Sequence, residues 1–98
     1  MQARVFVVQS NNKHDLTPAL QFGRLETILP ARDLDIPSSD LYNYIKDCLD
    51  SSHRNDWLVL SGDPVAMAIA SIIWWDLHKE LRVLKWDGKA GRYIPVRV

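Results

Sequence analysis

The spacing of apolar residues changes several times along the chain, and each change marks an element. Val5, Phe6, Val7 and Val8 form a β-branched and aromatic run closed by Ser10, Asn11 and Asn12, which predicts a buried first strand ending in a polar loop. From Asn11 to about Phe22 no period is strong, although Thr17-Pro18 suits the start of a brief helical turn that Gly23 ends. Leu25, Thr27 and Leu29 alternate with Glu26 and Ile28, giving a second strand that stops at Pro30. Ala31 to Ser38, with two acids and Pro37, reads as a surface connection. Leu41, Tyr44, Ile45, Cys48 and Leu49 then recur at helical spacing, with Asn43, Lys46, Asp47 and Asp50 on the other side. Ser38 or Ser39 supplies a cap, and Asp40 faces the positive end of the helix dipole.

The next segment is one βαβ unit. Trp57 to Leu60 is apolar without alternation, as in a strand covered on both faces of a parallel sheet. Ser61-Gly62-Asp63-Pro64 ends it with a permissive glycine, an N-cap aspartate and a proline at the first helical position. The helix that follows runs to about His78 and is apolar well beyond one side. Ala66, Ile69, Ala70, Ile73 and Leu77 make a stripe suited to lie on a sheet; Val65, Ala68, Ile72 and Trp75 make a second, and Met67, Ser71, Trp74 and His78 a third. Trp74 and Trp75 point about 100° apart, so burying both in so small a domain is difficult. Leu81 to Trp86 pairs in parallel with Trp57 to Leu60. It continues through a five-residue loop, Asp87 to Gly91, into a final edge strand, Arg92 to Val98, where Pro95 cannot donate to a ladder.

These elements define one α/β domain over residues 1–98, Rossmann-like, in two or three layers. The order is β-β-α-β-α-β-β, mostly parallel with a C-terminal antiparallel hairpin. Composition agrees: 98 residues, 47% hydrophobic and 24% charged, is the make-up of an ordinary globular domain. The apolar run from Val65 to Trp75 is about half of what spans a bilayer, so no membrane crossing is expected. The start of the chain shows no signal-peptide core, and the expected compartment is the cytoplasm. A single cysteine, Cys48, excludes an intrachain disulfide and a paired-cysteine metal site, and its place in the apolar stripe marks a small buried hydrophobe.

Net charge is zero, which removes a global electrostatic argument for nucleic acid. Locally, five bases stand against Asp87 from residue 81 onward. Trp86 and Tyr93 sit among them, so stacking and phosphate contact by the hairpin is one reading. Bases that guard an edge strand and an aromatic cross-strand pair are the structural alternative, and nucleic-acid binding is not the expected role.

Chemistry is sparse. The SGDP turn has neither the lysine of a phosphate loop nor the glycines of a dinucleotide fingerprint, and Asp63 already occupies the positive helix end. If a small molecule or nucleotide binds, the site is Ser61, Gly62 and Asp63 with His14 from the loop after the first strand. No GxSxG, HExxH or paired-cysteine motif is present, and no catalytic residue, metal or cofactor is assigned. The surplus apolar surface points instead to a contact surface comprising Met67, Trp74 and Trp75, with Trp86 and Tyr93 on the hairpin.

VFVVQS, DLTPALQFG, LVLSGDPVAMAIA and LKWDGKAGRYIPV, in that order, resemble the pattern of an uncharacterised group of short proteins of tailed bacteriophages. The resemblance covers most of the chain and brings no catalytic residues. It implies an accessory phage protein of the bacterial cytoplasm. The reading that follows is a non-enzymatic interaction protein whose partner is itself, as a homodimer, or a host protein.

Overall fold

A computed structural model describes residues 2–10, 15–30 and 38–98, with the side chains of Ser38 and Ser39 excepted. Five strands form one sheet: β1 (Arg4–Gln9), β2 (Arg24–Leu29), β3 (Trp57–Val59), β4 (Arg82–Asp87) and β5 (Arg92–Arg97). Their spatial order is β2-β1-β3-β4-β5, parallel throughout except for the terminal β4–β5 hairpin. A 3₁₀ turn, Thr17–Phe22, precedes β2, and two helices, α1 (Ser38–Leu49) and α2 (Pro64–His78), lead into β3 and β4. The predicted class and element order are those observed.

Alternation along the strands sorts side chains between two cores. Phe6, Val8 and Leu58 meet Ile45 and Leu49 of α1 and Ala66, Ala70, Ile73 and Trp74 of α2. Val5, Val7, Val59, Leu84 and Tyr93 meet Ala19 of the 3₁₀ turn on the opposite side, with Phe22 and Trp57 packed against them. Both α-helices therefore share one face of the sheet. On the other face, Phe22 and Trp57 meet edge to face at 5.7 Å, and the Arg82 guanidinium lies 3.8 Å from the centre of the Trp57 ring.

Three expectations are adjusted. β3 ends at Val59, and Leu60 is exposed as the chain leaves the sheet. The hairpin loop has four residues, because Asp87 still pairs with Arg92 and the amide of Gly91 donates to the Asp87 carbonyl. Leu77, expected on the sheet, is 39% exposed, and Trp74 packs there instead.

β5 is an edge of defined polarity. Leu81 and Val98 exchange both amide–carbonyl bonds, at 2.9 and 3.0 Å. Antiparallel ladders alternate bonded with non-bonded pairs, so Leu84 and Pro95 form a non-bonded pair and the Pro95 nitrogen points away from β4. A residue without an N–H stands where the edge offers its amides to solvent.

Candidate functional site

In an open parallel sheet, ligands enter the crevice where neighbouring strands send their connections in opposite directions. Here that point lies between β1, which leads outward to β2, and β3, which leads through α2 to β4. The SGDP turn, which follows β3, is at this point. Gln9, a residue without any signal in the sequence, fills the crevice. Its Oε1 accepts from the Asp63 amide at 2.8 Å, and its Nε2 donates to the Pro30 carbonyl at 3.1 Å. Ser61 Oγ donates to the Gln9 carbonyl at 2.6 Å.

Gly62 has φ +89°, and a Cβ there would collide with the Gln9 side chain. Asp63 Oδ2 accepts from the Ala66 amide at 2.9 Å, completing the cap of α2. Ser61 Oγ, the Asp63 amide and one oxygen of the Asp63 carboxylate are thus engaged within the protein. His14, proposed as the fourth member of this site, lies outside the described residues.

At the other end of the strands, an open hollow of about 610 Å³ is lined by Arg4, Arg24, Ser51, His53 and Asp56, among others. Asp56 is nearly enclosed and accepts from the amides of Arg4 and His53 at 2.8 and 2.7 Å. The Arg4 guanidinium approaches the same carboxylate at 3.6 Å and donates to the Ser51 carbonyl and hydroxyl. Arg82 donates to the carbonyls of Asp56 and Asn55. These bonds clasp the loop between α1 and β3 onto the starts of β1 and β4. A lone acid before a strand offers no sequence sign of such a clasp.

His78, at the end of α2, contacts Ser52 Oγ through Nε2 at 2.8 Å, and its ring lies 4.8 Å from Trp74. Burial pushes its pKa below the ordinary histidine value, and Asp56 opposes that shift. Burial, aided by Asp47, raises the Cys48 thiol, in keeping with a packed hydrophobe. Among the described residues no group of three or more His, Cys, Asp or Glu is placed to hold a metal ion, and no helix is long and apolar enough to cross a membrane.

The five residues expected at a contact surface divide sharply. Trp74 has no exposed surface and stands edge to face with Phe6 at 6.1 Å, so this member of the expected surface belongs to the core. Its indole N–H is buried without an acceptor among the described residues. Tyr93 is buried too, crossing Trp86 edge to face at 5.0 Å, and burial raises its phenol pKa with a smaller push from Asp15. Met67 is half-buried against α1 and the sheet.

Trp75 remains at the surface, 48% exposed, and Trp86 is 37% exposed. Trp75 belongs with Val65, at 61%, Ile72, at 63%, and the exposed Ala68. These four form the second stripe of the sequence reading. They compose a continuous apolar flank on α2 facing away from sheet and α1. A third helix beside α2 would cover such a flank, but the chain turns into the hairpin instead.

The basic hairpin is partly engaged in structure. Arg82 serves the Trp57 stack and the Asp56 loop, and Arg97 pairs with Glu80 at 3.4 Å. Lys85, Lys89 and Arg92 are exposed.

Fold and surface together define a small α/β protein with a mostly parallel sheet, helices on one face and an apolar helix flank open to solvent. The chain belongs to the Phage Pam3 gp32-like protein family, whose model matches residues 3–98. That places it in a phage protein group to which no function is attached, in line with the resemblance drawn from the sequence. No curated protein and no solved structure gives a significant match.

Proposed function

We propose that this phage protein is a non-enzymatic interaction protein that docks onto another protein through the outer flank of α2, in the cytoplasm of the host bacterium. The observation carrying this reading is the unbroken exposed stripe Val65, Ala68, Ile72 and Trp75. Single exposed apolar residues are ordinary, but four aligned along three turns, with the exposed Asp76 only at the end of the row, are the pattern of a contact surface. The Gln9 amide in the strand-end crevice weighs against the small-molecule alternative. Structural use of Arg82 and Arg97 weighs against the nucleic-acid one.

A photo-crosslinking residue placed at position 72 and expressed in bacteria tests the reading. Covalent capture of a protein from position 72, and not from position 47 on the exposed side of α1, is the expected result. Equal or absent capture at both positions ends the proposal.

A further inference from the structure

We infer that two copies of this chain join edge to edge through β2, the two strands antiparallel about a two-fold axis at Leu25, so that their sheets become one. The contact is separate from docking through α2, whose outer flank it leaves open. Among the described residues the sheet has two outer strands, β2 and β5. Pro95 interrupts the edge at β5. β2 carries no such device, since Arg24–Leu29 contains neither proline nor glycine. The Arg24 amide donates to the Ala3 carbonyl at 3.0 Å, so this residue turns its backbone groups toward β1. By alternation along the strand, Leu25 and Thr27 turn theirs outward, where they meet no partner among the described residues.

Charge selects the second copy and its register. Arg24 and Glu26 stand on one face of β2, 2.9 Å apart, with side chains 65% and 40% exposed. Antiparallel copies of β2 bring outward groups together when centred on Leu25, Glu26 or Thr27. A centre at Glu26 sets the two Glu26 carboxylates directly opposite, and one at Thr27 sets each Glu26 against the partner's Ile28, which is apolar and buried. A centre at Leu25 sets each Arg24 opposite the partner's Glu26, twice by symmetry, in the non-bonded kind of pair where side chains approach most closely. The amides and carbonyls of the two Leu25 residues then bond across the axis. Each Arg24 and each Glu26 gains a second opposite charge beside the one in its own chain. The chain carries no net charge, so two copies meet without general repulsion. Once joined, the sheet ends on β5 at both sides.

Mass measurement in native solution and disulfide trapping together test the inference on the full chain. Wild-type protein is expected to be dimeric at about 100 μM, where even a weak specific pair forms. Arg24→Glu and Glu26→Arg should each raise the dissociation constant by at least about tenfold, and the double variant Arg24→Glu/Glu26→Arg, which exchanges the charges, should return it to within about threefold of wild type. Thr27→Pro removes an outward amide, so it should dissolve the dimer and leave the circular dichroism spectrum unchanged. In a Cys48→Ser background, Arg24→Cys mixed with Glu26→Cys should give disulfide-linked dimers. Neither alone should, since the register holds two copies of either position about 8 Å apart. A wild-type monomer at about 100 μM overturns the inference, as do a double variant that fails to pair, equal trapping in the mixed and single samples, and a dimer that Ile72→Glu dissolves while the charge variants do not. If Thr27→Pro fails to fold, the charge variants decide alone.

Discussion

α1 and α2 lie side by side on one face of the sheet, yet they divide their surfaces differently. α1 turns Ile45 and Leu49 into the core and gives Asn43, Asp47 and Asp50 to water, with Lys46 and Asp50 paired at 3.3 Å along its outer side. Its exposed aromatics, Tyr42 and Tyr44, carry hydroxyl groups. α2 also needs one face to build the core, through Ala66, Ala70, Ile73 and Trp74, but repeats apolar residues on the face it does not need. Folding accounts for the whole of α1 and for half of α2. What is left over on α2 is surplus to the fold, and for that reason it informs about function.

The sharpest way to break this division is at Trp74, whose side is assigned wholly to folding. Trp74→Ala should cost about 3–5 kcal/mol in denaturant unfolding, while Trp74→Phe, which also removes the buried N–H that lacks an acceptor among the described residues, should cost less than half as much. Removing the start signal of the helix is a smaller injury: Asp63→Ala should cost about 1 kcal/mol. At the far end the sign reverses. Lys79 holds a left-handed backbone with φ 58°, so Lys79→Gly should stabilise the protein by up to about 1 kcal/mol.

His78 offers a weaker handle through pH. Its folded pKa lies below that of the unfolded chain, so the unfolded state takes up the proton first. Stability from this group is full above about pH 6.5 and declines as pH falls from there toward the folded value. Thermal midpoints measured from pH 7.5 to pH 5, a span chosen to bracket the ordinary histidine range of about 6.5, should fall less steeply in His78→Gln. The smallest effect sharpens the comparison most. Ile72→Glu should leave monomer stability within about 0.5 kcal/mol, because its side of α2 contributes nothing to the core. A loss comparable to that of Trp74→Ala would erase the distinction between the two faces.

Much of this architecture can be read from the residues. β-branched runs, the Gly-Asp-Pro turn and the proline-bearing last strand locate the elements within a residue or two, since each rests on local backbone chemistry. Which tryptophan is buried does not have that local basis. With apolar residues in all three stripes of α2, periodicity cannot orient the helix, and the choice of Trp74 is made by Phe6 below it and by α1 beside it. Gln9 is hidden for a related reason. Its role exists only once β1 and β3 are neighbours, and its partners lie 21 and 54 residues away in sequence. The same holds for Asp56, whose clasp joins residues from three elements.

Pro95 carries a consequence for how far an assembly of this protein can grow. Open sheet edges are where chains add to one another without limit, one strand after the next, and a missing N–H in the middle of β5 denies that growth its central bond. With β5 interrupted, copies of the chain that meet at that edge lack the bond needed to add strand upon strand.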